Sequence, residues 1–297
     1  MSRPFRLIPF VVATAALTAC GSGGGSSSGG SVADHLSGKP TATLVKDAQS
    51  WLRSAHYHFR GDIAQAGTAS DLSGVPQEML SALTGSITLT GEGDVDGSKH
   101  ISAEAFVVGV PQPIHLVEYG CKGYASLDGH AWFTGSQPRW LTRMVAPGFD
   151  DGLTSLAWHD LGPTTRGNVA VHHLQATMTA LGMSGAAPPP GATPPPGFDV
   201  KPTTMDMWLR SSDGSVLEMH GDIDATADVH ALAASGPPAL RNASGTLHQT
   251  LHQTATFSTQ RGSVHAPAAT LGSDPVPDSV YSGFGSFGVE TDDCGDN

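Results

Sequence analysis

MDMWLRSSDGSVLEMHGDI, residues 205 to 223, is the stretch that decides how this chain folds. Asp213-Gly214 is a turn pair: glycine adopts positive φ at no steric cost, and a short aspartate side chain hydrogen-bonds the backbone that follows. On both sides of it the residues alternate. Met205, Met207 and Leu209 share one face before the turn, Leu217, Met219 and Ile223 share one after it, and polar residues lie between them. A period of two around a tight turn predicts an antiparallel hairpin with one apolar and one polar side.

The device recurs. SITLTGEGDV (86–95) puts Ile87, Leu89 and Val95 on one face, turns at Asp96-Gly97 and returns as HISAEAFV (100–107); YASLDGHAWF (124–133) turns at Asp128-Gly129. HYHFRGDI (56–63), VAVHHLQATM (169–178) and the long segment 243–259 read as further strands. Helical spacing is clearest in Thr43 to Ala55, where Leu44, Val45, Ala48, Trp51, Leu52 and Ala55 share a face behind Pro40 and Thr41. In 141–161, Leu141, Met144 and Val145 precede Pro147-Gly148, and Asp150/Asp151 then offer caps for a short helix carrying Leu153, Leu156, Ala157 and Leu161. The fold class is therefore α+β, dominated by an antiparallel sheet and spanning 41–270. Residues 184–197 form a Pro/Gly insertion, and 271–297 are expected to be a disordered tail, acidic and without Lys or Arg.

Upstream of the helix the texture changes. Arg3 and Arg6 precede an apolar run from Leu7 to Leu17, too short for the roughly 20 residues of a membrane-spanning helix, so residues 1–19 read as an export signal. Leu17-Thr18-Ala19-Cys20 looks like the lipobox of bacterial lipoproteins, which implies removal of the signal and acylation of Cys20. The rest of the segment 20–40 opens on glycine and serine, a flexible leash reaching on the order of 18 Å. The expected address is the cell membrane or envelope, on its extracytoplasmic face, with the membrane as first partner through acylated Cys20. There Cys121 and Cys294 are able to pair.

Charge narrows the function. Fifteen basic residues stand against 27 acidic in 297, a net of −12 that deepens once Arg3 and Arg6 leave with the signal. Nucleic acid and anionic lipid head groups are poor partners for that sign. The fourteen histidines, among them His56 with His58, His172-His173 and His248 with His252, carry no metal-ligand signature and read as polar surface; neither metal nor other cofactor is expected. The carboxylate pairs Asp150/Asp151 and Glu92/Asp94 fit a helix cap and a strand's outer face. GSSSG (25–29) satisfies the nucleophile-elbow pattern, yet that chemistry needs a strained strand-to-helix turn and this match lies in the leash. No catalytic residues are assigned, and the chain is not expected to be an enzyme.

The order of elements, from lipobox and leash through a helix running into HYHFRGDI, YASLDGHAWF, short helices before VAVHHLQATM, then MDMWLRSSDG and a long closing strand, resembles LppX/LprG-type lipoproteins and, more distantly, the LolA/LolB carriers. The resemblance covers most of 41–268 and is one of order and texture; the Pro-rich insertion, residues 66–85 and the acidic tail depart from it. It implies a curved, half-open antiparallel sheet, a half-barrel with helices on its concave side, that binds acyl chains, glycolipids or lipidated protein. A lipid ligand would then lie among Trp132, Met144, Leu156, Met205, Met207 and Met219, adaptable apolar side chains suited to such a cavity. A membrane transporter or another envelope protein would complete the partners. The competing reading is a lipoprotein whose core is full and whose polar face serves protein contacts.

Overall fold

The computed structural model describes residues 35–75, 84–97, 100–107, 110–146, 153–178, 197–231, 242–259, 262–268 and 271–276. The signal, Cys20, the leash, Asp150/Asp151, Cys294 and nearly all of the Pro-rich insertion lie outside them.

Helix α1 (Thr41–Ser54) buries Leu44, Val45, Ala48 and Leu52, the stripe that its spacing predicts, and ends where Ala55 turns extended. The chain passes directly into β1 (His56–Ser73), an 18-residue strand that takes in the start of the 66–85 segment. There follow β2 (Gly85–Asp96), β3 (His100–Val107), β4 (Ile114–Tyr119), β5 (Lys122–Ser126), β6 (Phe133–Gly135), helix α2 (Ser136–Val145), a 3-10 turn (Leu153–Ser155), β7 (Trp158–Arg166), β8 (Val169–Met178), β9 (Phe198–Lys201), β10 (Thr203–Arg210), β11 (Val216–Asp228) and β12 (Ser244–Thr259).

All twelve strands join one open antiparallel sheet. Eleven follow a single path, β6-β5-β4-β3-β2-β1-β12-β11-β10-β8-β7, and β9 pairs with β11. β9 and β10 lie along successive parts of β11, separated by Pro202, whose missing N–H cannot serve a ladder. At the centre β1 pairs with β12 from Tyr57↔Thr259 to Ala69↔Leu247 without a break.

One face of the sheet carries the main core. Tyr57, Phe59 and Ile63 of β1, Leu89 and Val95 of β2, Ile114 and Leu116 of β4, and Leu251, Ala255 and Phe257 of β12 are buried in the same cluster as the α1 stripe and Leu141 and Val145 of α2. Both helices therefore pack on this face. α2 approaches the backbone closely because the paired Gly61 and Gly91 present no side chains beneath Val145; a Cβ at Gly91 would run into that valine. Each leucine fully enclosed here contributes about 1.5–3 kcal/mol.

The structure corrects four local expectations. The helix expected around Leu153, Leu156, Ala157 and Leu161 is a single 3-10 turn, and from Trp158 the chain is strand β7, which leaves Leu161 54% exposed. Pro163 sits in that edge strand, where a missing N–H costs least. Asp128-Gly129 does not make a two-residue hairpin: β5 and β6 pair at Ala125↔Phe133 across a wider loop. There the Asp128 carboxylate accepts from the backbone N–H groups of Ala131 and His130 and from the Ser126 hydroxyl, which hold it down at about 2. Leu217 leaves the Met219 face because Leu209 pairs with Val216 while Trp208 pairs with Glu218; the bulge turns Val216 inward instead. The segment from Leu271 begins packed, with Leu271 bridging to Phe133 and Val276 enclosed in the main core.

The Asp96-Gly97 and Asp213-Gly214 turns form as expected, each glycine at φ near +75° (76° and 75°). Cys121, in the turn between β4 and β5, is disulfide-bonded to a residue outside the described ones.

Candidate functional site

The thioethers of the opening hairpin meet on the core face. Met207 pairs in register with Met219 and both are fully enclosed, while Met205 lies opposite Gly221, where an added Cβ would stand 3.6 Å from the Met205 methyl. An unbranched thioether beside a glycine fills irregular space and can rearrange cheaply. Leu174, Leu209 and Val216 surround these methionines, the α1 stripe belongs to the same cluster, and Leu156 packs against it from beyond the 3-10 turn. Of the six candidate ligand residues, Met205, Met207 and Met219 belong to this core cluster and Leu156 packs against it. Trp132 is placed elsewhere, in a small cluster with Val117, Tyr124 and Val264, its indole N–H donating to the Gly129 carbonyl at 3.1 Å. The side chain of Met144 is not among those described.

Polar groups that sequence reasoning passed over sit on the same face. Glu118 of β4 is completely buried and accepts from Arg139 at 3.0 Å and from Arg143 at 2.8 Å, both on α2. The pair of arginines four residues apart in RWLTR was the available signal, since two cations on one helix face call for an acid beneath. Gln249 of β12 is 2% exposed, and among the described residues neither polar atom of its amide has a hydrogen-bond partner.

The opposite face is a lattice of imidazoles and carboxylates across strands. His58 lies 3.1 Å from both Glu92 and Asp94, His115 3.3 Å from Glu104, His173 2.7 Å from Asp206, His220 2.6 Å from Glu218 and His248 2.8 Å from Asp224; His252 pairs with Asp222 and His56 with Asp96. Histidines expected to be solvated are therefore partnered, and His172, the buried member of its pair, contacts Asp160 at 2.7 Å. Among the described residues no three His, Cys, Asp or Glu side chains converge as a metal site. Arg166 donates to Glu218 at 2.7 Å and lies 4.4 Å from the centre of the Trp208 ring, against which the His173 ring also stacks. Burial pushes the Glu218 carboxyl up, but hydrogen bonds from His220 and Arg166 outweigh it and bring it down to about 2; the same contact raises the Arg166 guanidinium. A surface groove of about 450 Å³ runs past His58, Arg60, Glu92, Arg166 and Glu218.

The chain is similar to solved lipoproteins. Lipoprotein LppX of Mycobacterium tuberculosis has a TM-score of 0.37 and 15% identity over 76% of this chain and 100% of its own. LprF from Mycobacterium bovis has a TM-score of 0.37 and 12% identity over 77% of this chain and 97% of its own. A LolA superfamily protein from Nitrosomonas europaea has a TM-score of 0.25 and 10% identity over 82% and 98%. No family model matches the chain, and no curated protein matches it. Among the described residues no helix is long and apolar enough to cross a membrane.

Proposed function

We propose that the chain is an extracytoplasmic lipoprotein, acylated at Cys20, whose sheet curls around a lipid ligand taken up on the face that α1 and α2 cover. The observation that carries this reading is the set of methionines. Met205, Met207 and Met219 lie on adjacent strands in the same core cluster as the stripe of the 14-residue α1, so an acyl chain inserted there meets polarisable side chains able to move aside. Leu156 packs against the same cluster. Each methylene that leaves water contributes about 0.8 kcal/mol, so a chain of ordinary length compensates the displacement of helix contacts without a covalent step. The leash would keep the domain within reach of the bilayer from which the ligand is drawn.

A second reading rests on the complete enclosure of Met207 and Met219: a filled core, with the imidazole and carboxylate lattice turned toward a protein partner. Native mass spectrometry of the full-length protein, before and after organic extraction, separates the two. A stoichiometric lipid mass that extraction removes is the expected result; a bare polypeptide that also takes up no fluorescent acyl probe leaves the adaptor reading.

A further inference from the structure

Between the main core and a second cluster of Ala225, Ala227, Val229, Ala243 and Leu247, the core face of β12 carries a single amide. Leu251, two residues on, belongs to the main core and Leu247, two residues back, to the second cluster, so Gln249 stands at the junction of two apolar regions. Its register neighbours on this face are Gly67 of β1 and Ala225 of β11, so neither residue directly opposite it is polar or fills the space beside it, while the buried Gln65 stands two residues along β1 opposite Leu251. Gly67 also lines an open surface depression of about 490 Å³ with Thr68, Ala69, Leu72 and Thr84, beside Gly85, where β2 begins. Native structures rarely leave a buried amide with both its donor and its acceptor unused, because each forfeits the hydrogen bonds it made in water.

We propose that Gln249 is the polar anchor for the bound lipid, and that the ligand carries a hydroxyl group within its apolar span. The inference rests on the lipid-binding reading and sharpens it to a substrate class. A hydroxyl is the smallest group that can accept from the amide Nε2 and donate to Oε1 at once, and the neighbouring Gly67 and Ala225 leave room for a small one. An ester or a carboxylate only accepts, and would leave Oε1 unmatched. A plain acyl chain would leave both atoms as they are.

The test compares methyl stearate with methyl 12-hydroxystearate, identical in length and differing by one hydroxyl, by competition against a fluorescent acyl probe on the full-length chain carrying Cys20→Ala. The hydroxy ester is expected to bind about tenfold more tightly. Gln249→Leu is expected to erase that difference, to leave methyl stearate binding as strong or stronger, and to raise the melting temperature of the empty protein. Equal affinity for the two esters, a preference that survives Gln249→Leu, or a leucine variant that melts below the parent overturns the hydroxyl site while uptake of methyl stearate still upholds the lipid reading. Failure to bind either ester overturns both.

Discussion

Arg139 donates to Glu118 at 3.0 Å with the two side chains 5% and 0% exposed, so α2 is fixed to β4 by an ion pair that water hardly reaches. Removing one partner of such a pair leaves the other charge buried alone. Glu118→Ala is expected to destabilise the fold by about 3–5 kcal/mol in urea titration, whereas Arg143→Ala, whose side chain is 32% exposed, is expected to cost clearly less.

Gly123 of β5 lies opposite Glu118, directly beneath α2, and a Cβ there would collide with the backbone of Arg139. Backbone cannot swing aside as a side chain can. Gly123→Ala is therefore expected to cost about 1–3 kcal/mol and to loosen α2 selectively, visible as faster amide exchange in 136–145 than in β1.

Glu218 titrates at about 2 in the folded chain, against an ordinary value of 4.5. The unfolded chain binds the proton first as pH falls, so the contribution of this carboxylate is complete above pH 4.5 and is lost progressively down to about 2. Glu218→Gln is expected to flatten that part of the stability curve, measured by thermal melting at half-unit intervals of pH.

The chain contains three cysteines, and Cys121 is disulfide-bonded. If Cys20 carries the proposed acyl group, Cys294 is the remaining thiol for it. Peptide mapping without reductant is expected to recover the two as one linked species, and Cys294→Ser to lower the melting temperature by several degrees; a Cys20 to Cys121 link would contradict the lipid anchor.

Much of this architecture was legible in the chain. The strand 169–178 and the α1 stripe follow from periodicity alone, and two of the three Asp-Gly pairs turn as their chemistry dictates. Where the reading failed, contacts between distant segments decided the outcome. Leu153 to Leu161 carries a helical spacing of leucines, but Trp158 onward pairs with β8, and ladder hydrogen bonds outweigh a weak local preference. The bulge at Leu217 has no local signature, since it arises from the fit of β10 to β11. Of the candidate ligand residues, those on alternating strands were found together because parity fixes the face; Trp132, in a loop, had no such constraint. Gln249 looked like one more polar residue in HQTLHQT, and only the packing around it reveals an amide without partners among the described residues.

The central ladder joins the first strand to the last, Tyr57 to Thr259, across some two hundred residues of intervening chain. A polypeptide that emerges amino end first cannot close this seam until its final strand has appeared. Up to that moment β1 and β11 each present an open edge, and the two flanking meanders, β1 to β6 and β7 to β11, lack the ladder that joins them and meet through α1, which packs on β7 and β11. In the proposed lipoprotein Cys20 would be available for acylation long before that closure, so the chain would be moored while still in two halves and the membrane surface would be where they are zipped together.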